Sequence, residues 1–148
     1  MDLIDIKNDR IDRLSKALEK EMTISQNLFL MNVISIEKDQ LQEFFDKQCI
    51  EHIAVYGLGK VGQAFVRLLK QNDMDVECVI DRDQNVNTKE YKTIHDVADM
   101  TEEVDTVIIT SDYYFREIKE EIERYSSVRC ILLHDLLEYI ALIPIPIS

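Results

Sequence analysis

Hydrophobic positions along this chain follow two rhythms, and the change falls near residue 50. Before it, apolar residues recur at helical spacing. Ile11, Leu14 and Leu18 stand at i, i+3 and i+7, one stripe of a first helix. Thr23 followed by Gln26 fits a capping box, which predicts a second helix carrying Leu28, Met31 and Ile34. Leu41, Phe44 and Phe45 give a third apolar patch that ends near Gln48. No glycine or proline interrupts this segment.

After residue 50 short apolar runs alternate with amphipathic ones. "HIAVY" (52–56), "DVECVI" (75–80), "YKTI" (91–94), "VDTVIIT" (104–110) and "VRCILL" (128–133) read as five strands. The fourth is continuously apolar, as expected of a strand buried on both faces of a parallel sheet. Val61, Ala64, Phe65, Leu68 and Leu69 form the inner face of the helix after the first strand. Phe115, Ile118 and Ile122 stripe a charged helix after the fourth, and "DLLEYIA" closes with a short one. Right-handed crossovers then predict an α/β, Rossmann-like doubly wound parallel sheet in the order 3-2-1-4-5. The expected division is an N-terminal helical extension over 1–49 and a nucleotide-binding domain over 50–148. Pro144 and Pro146 force the apolar tail "ALIPIPIS" to be extended. Such a tail is expected to pack on the N-terminal helices or on a partner chain, which makes a homodimer through these parts the expected assembly.

Composition and charge narrow the function. With 46% hydrophobic residues the chain can build a core, so wholesale disorder is excluded. A formal net charge of −12 repels phosphate backbones and anionic lipid, which argues against nucleic-acid and membrane partners. "MDLIDIKNDRIDRL" is charged throughout, unlike a signal peptide, and no apolar run is long enough to span a bilayer. Cys49, Cys78 and Cys130 are far apart and form no CxxC pair; the odd count fits a reducing compartment, and a cytoplasmic location is expected.

The chemistry concentrates in "IAVYGLGKVGQAFVRLL" (53–69). Gly57, Gly59 and Gly62 make a GxGxxG loop between a strand and a helix, and Asp81 ends the second strand nineteen residues after Gly62. Gly57 permits the tight turn, Gly59 leaves room for a pyrophosphate, and Gly62 lets the helix lie close to the sheet. The helix start offers free N–H groups and a positive dipole end. Lys60 is placed either to pair with a phosphate or to remain solvated. Asp81 would accept from ribose hydroxyls and would repel a 2′-phosphate, favouring NAD over NADP; Arg82 beside it works the other way. The loop after the fourth strand, "TSDYYF", brings Thr110, Ser111, Asp112 and Tyr113 to the same crevice, with Ser111 or Asp112 also suited to cap the next helix. Tyr56 and Lys60 have the Tyr-x-x-x-Lys spacing of short-chain dehydrogenases, but it falls in the phosphate loop and carries no such role.

His52, His95 and His134 form no metal-spaced set, and neither a GxSxG elbow nor a Walker loop occurs. Fewer than fifty helical residues precede the motif and nothing sizeable follows the fifth strand, so hydride transfer by this chain alone is not expected.

The segments "IEHIAVYGLGKVGQAFVRLLKQNDMDVECVIDRD", "VDTVIITSDYYFREIKEEIE" and "ILLHDLLEYI" resemble the small Rossmann-like modules that accompany bacterial capsular and surface polysaccharide biosynthesis, often beside sugar transferases. The helical stretch "NLFLMNVISIEKDQLQEFFDKQ" is similar too, so the resemblance covers about residues 25–140. It implies a sugar- or polysaccharide-metabolic setting rather than a defined activity. That family usually has a longer, glycine-containing segment between strands two and three; "QNVNTKEYKTI" is short and glycine-free, which is expected to remodel the adenosine pocket. The strand, GxGxxG and acidic residue also resemble NAD-sensing regulatory domains of potassium transport systems. The expected ligand is therefore a small nucleotide-containing molecule, NAD or a nucleotide sugar. The alternatives are an NAD-responsive regulatory domain or an empty fold that serves as an interaction platform.

Overall fold

The computed structural model describes residues 2–36 and 39–141. Its core is a five-stranded, wholly parallel sheet made of β1 (Ile53–Tyr56), β2 (Val76–Ile80), β3 (Thr93–Ile94), β4 (Thr106–Ile109) and β5 (Arg129–Leu132). The strand order is β3-β2-β1-β4-β5, as the alternation of apolar runs predicts. β1 and β4, in the middle of the sheet, are buried along their whole length. That burial on both faces is why their sequences are continuous apolar runs instead of alternating ones.

Side chains of successive strand residues point to opposite faces, and each face has its own cover. Ile53, Val55, Val79 and Ile108 pack with α1 (Leu3–Ile36), α2 (Gln40–Lys47), α3 (Lys60–Gln71) and α5 (Leu133–Ala141). Ala54, Tyr56, Cys78, Ile80, Val107 and Ile109 meet Ile118 and Ile122 of α4 (Phe115–Glu123) and a single 3-10 turn at Val97–Asp99. Phe45 and Phe65 are fully enclosed on the first face. The Phe44 ring lies 5.5 Å from that of Tyr139, tying α2 to α5.

The N-terminal segment differs from its expected form. Two helices separated by a cap at Thr23 are expected; one 34-residue helix is found. Thr23 does not cap: its hydroxyl donates to the Glu19 carbonyl one turn back, at 3.0 Å, inside an unbroken helix. With no glycine or proline between Leu3 and Ile36, nothing in the sequence breaks the helix at Thr23. What looks like two helices is one helix whose apolar face changes side. Met31 and Ile34 are buried beneath it, whereas Ile11, Leu14 and Leu18 face outward. The apolar tail with Pro144 and Pro146 lies outside the described residues. Among the described residues no helix is long and apolar enough to cross a membrane.

Candidate functional site

The ends of β1 and β4 lie side by side, with Tyr56 opposite Ile109. Their two following loops open a crevice at the point where the strand order reverses. The chain contains three glycines, and all three fall between the end of β1 and the first turn of α3. Gly57 has φ +99°, a conformation that side chains resist, and its N–H donates to the Ile80 carbonyl at 2.7 Å. A Cβ there would also strike the Thr110 hydroxyl. Gly62 is buried in the first turn of α3, where a Cβ would collide with the Gly57 carbonyl. Both glycines are demanded by the turn and by the helix lying against it. Gly59 is different. It has extended backbone, φ −70° and ψ −165°, and a Cβ added to it would meet nothing within 4 Å. The fold leaves that position free.

Hydrogen bonds fix the remaining positions around the loop. The Asp81 carboxylate accepts from the Leu58 N–H at 2.8 Å and from the Asp83 N–H at 3.0 Å, so it ties the loop to the end of β2. The Thr110 hydroxyl faces the Tyr56 carbonyl at 3.0 Å and the Gly57 carbonyl at 3.1 Å. Ser111 Oγ accepts from the Tyr114 N–H at 3.2 Å and closes the turn ahead of α4, which starts at Phe115. Arg82 points elsewhere: its guanidinium binds Glu121, and its Nε donates to the Tyr56 hydroxyl at 2.9 Å. Arg82 therefore does not offset the Asp81 charge in the crevice. Tyr56 and Lys60 serve separate surroundings, in keeping with the dismissal of a Tyr-x-x-x-Lys pair.

The crevice is a cleft of about 670 Å³, within the range of small-molecule sites. It is lined by Gly57, Gly59, Lys60, Gly62, Asp81, Thr110, Ser111 and Tyr113, which brings all the sequence-selected positions together. Tyr113 is exposed, with its ring 4.8 Å from that of Tyr114, and the two form an aromatic corner. A further wall comes from α1, through Lys16, Lys20, Thr23 and Asn27. Lys16, Lys20 and Lys60 make no ion pair among the described residues. Of the three carboxylates that also line the cleft, Asp81 and Asp112 are already hydrogen-bonded, which leaves Glu19.

Asn27, 1% exposed, anchors the floor. Its Oδ1 lies 2.7 Å from His134 Nδ1 at the start of α5, and His134 Nε2 is 3.0 Å from Glu138. The Asn27 side chain also bonds Asp112, whose other oxygen is buried without a partner. Burial pushes the Asp112 carboxyl above its ordinary value, against the opposing pull of His134 and Asn27. Sequence reasoning did not select Lys16, Lys20, Thr23 or Asn27. A signal was present in their spacing, i, i+4, i+7 and i+11, which is a polar stripe along one helix face.

Among the described residues no group of three His, Cys, Asp or Glu side chains is placed to hold a metal ion. The C2185-like, N-terminal family model matches residues 49–131, more than half of the chain. No curated protein and no solved structure matches it. The matched span contains the glycine loop, Asp81 and the 110–114 loop, and leaves out α1 with its share of the cleft. On that match, the chain belongs to the C2185-like, N-terminal domain family.

Proposed function

We propose that the cleft binds a small nucleotide-containing ligand, NAD or a nucleotide sugar, with its pyrophosphate on the glycine loop and the N-terminus of α3. The observation that carries this reading is Gly59. Gly57 and Gly62 are required by the turn itself, but nothing in the fold requires a glycine between them, where a bound pyrophosphate would need the space. The unpaired Lys16, Lys20 and Lys60 support an anionic ligand within an otherwise acidic protein. Asp81 retains lone pairs for ribose hydroxyls, and Arg82, turned toward Glu121, is not available to a 2′-phosphate. NAD is favoured over NADP on that ground.

The chain acts as a binding module, in a setting of sugar or surface polysaccharide metabolism and in the cytoplasm, where Cys49, Cys78 and Cys130 stay reduced. A second reading, a ligand-responsive regulatory domain, is favoured by α1. That helix lines the cleft with one face and leaves an apolar face outside.

Calorimetric titration of NAD, NADP and UDP-glucose into the wild type and Gly59→Asp tests the proposal. Aspartate is a preferred helix N-cap, so the variant keeps its fold while placing a negative charge where the pyrophosphate would lie. Binding by the wild type and its loss in Gly59→Asp are expected. Equal affinity of the two would place the ligand elsewhere.

A further inference from the structure

Among the described residues nothing covers the outer half of α1. Every residue from Asp2 to Met22 is exposed. Helices of about 20 residues without a packed face are marginal in water, and a lone surface pair such as Arg13–Asp9 adds only a few tenths of a kcal/mol. Yet this half carries large apolar side chains. Ile4, Ile11, Leu14, Leu18, Met22 and, one turn into the packed half, Phe29 are each between 53 and 70% exposed. At 100° per residue these six fall within about 80° of the helix circumference. That stripe lies opposite the face holding Asn27, Met31 and Ile34 against the body. Ile4, Ile11 and Leu18 repeat every seven residues, the spacing of a two-helix seam.

We propose that this stripe pairs with the same stripe of a second copy, antiparallel, with the two-fold axis near Leu14. Charge selects both the occupant and the direction. The whole chain carries 29 acidic against 17 basic residues, but between Leu3 and Ser25 there are five of each. Here two copies can approach without the mutual repulsion of their bodies. The equal mixture also separates the helix from one that lies on lipid, whose polar face is rich in Lys and Arg. Lys7 and Glu21 lie on the Leu14 side of the stripe, Lys7 within it and Glu21 just outside its edge, each seven residues from Leu14. Parallel pairing would set Lys7 against Lys7 and Glu21 against Glu21. Reversal about Leu14 sets Lys7 of each copy beside Glu21 of the other, which replaces two like-charge contacts by two opposite ones. Lys16 and Lys20 stay on the far side of the helix, on the cleft, so the pairing does not depend on whether the cleft binds a nucleotide.

Sedimentation of the full-length chain, with Cys49→Ser throughout to remove the exposed thiol, supplies the first test. A mass of two chains is expected, falling to one in the Leu14→Glu, Leu18→Glu double variant, whose changes touch no residue of the body. The direction is read by cross-linking with a short bis-maleimide. Lys7→Cys mixed with Glu21→Cys should give a covalent heterodimer, and Lys7→Cys by itself should give none. A monomeric wild type, a dimer that survives the double variant, or self-cross-linking of Lys7→Cys would each overturn the proposal.

Discussion

Gly59 and Gly62 are three residues apart and make opposite demands on a side chain. Gly62→Ala drives a methyl into the Gly57 carbonyl, and a loss of about 2–4 kcal/mol is expected in urea unfolding. Gly59→Asp should leave stability within about 0.5 kcal/mol of the wild type or raise it. Asn27 satisfies His134 and Asp112 together, so Asn27→Ala, which strands both, should cost about 1–3 kcal/mol. Asp112 also sets a pH dependence. Its carboxyl is raised by burial, so the folded chain holds that proton more tightly than the unfolded one. Its contribution to stability is therefore full below the ordinary carboxylate value and is lost as pH rises through the raised one. Asp112→Asn keeps an oxygen for Asn27 and removes the ionisation. Ligand-free melts should show the variant gaining on the wild type from pH 4 toward pH 7, with the two converging at the acid end. A constant difference across that range would show that Asp112 does not titrate in this way.

Among the elements, α1 divides most clearly into parts that the sequence revealed and parts that it concealed. Its inner half docks on α3 and α5 through Met31 and Ile34, so Ile34→Ala should cost about 2–5 kcal/mol. Leu14→Ala, on the outer face of the same helix, should change the stability of the dilute monomer by less than about 0.5 kcal/mol. Equal losses at the two positions would mean that the outer face is covered by the chain itself. The strands were easier to read. β1 and β4 are buried on both sides, so apolarity alone marks them, and the glycine loop fixes where α3 begins. Helix α1 misleads because its apolar residues occupy one face up to Met22 and, Phe29 apart, shift toward the opposite face from Ile24 onward, a pattern that imitates two helices. The same pattern drew attention to Ile11, Leu14 and Leu18 and away from the polar stripe of Lys16, Lys20, Thr23 and Asn27. Apolar periodicity finds what packs. It is blind to a helix face whose business is with a cleft.

In the whole molecule, a parallel sheet brings two distant segments, the turn into α3 at 57–62 and the loop at 110–114, to one crevice, and the N-terminal helix lays a third wall along it. The family match covers the first two and not the third. Against a net charge of −12, three unpaired lysines at the cleft form a local exception. Neutralising two of them, Lys16→Gln with Lys20→Gln, should weaken an anionic ligand roughly tenfold, taking each exposed charge at somewhat under 1 kcal/mol, and should leave the ligand-free melting point unmoved. The most direct test of nucleotide binding is thermal unfolding of the wild type with NAD, NADP, UDP-glucose or no addition. A ligand at about 100 times its Kd adds about 2.7 kcal/mol, which raises the midpoint by several degrees. A rise with NAD or UDP-glucose, and a smaller one or none with NADP, is the predicted result. An unmoved midpoint with all three would contradict a nucleotide cleft and leave the glycine loop as a turn alone.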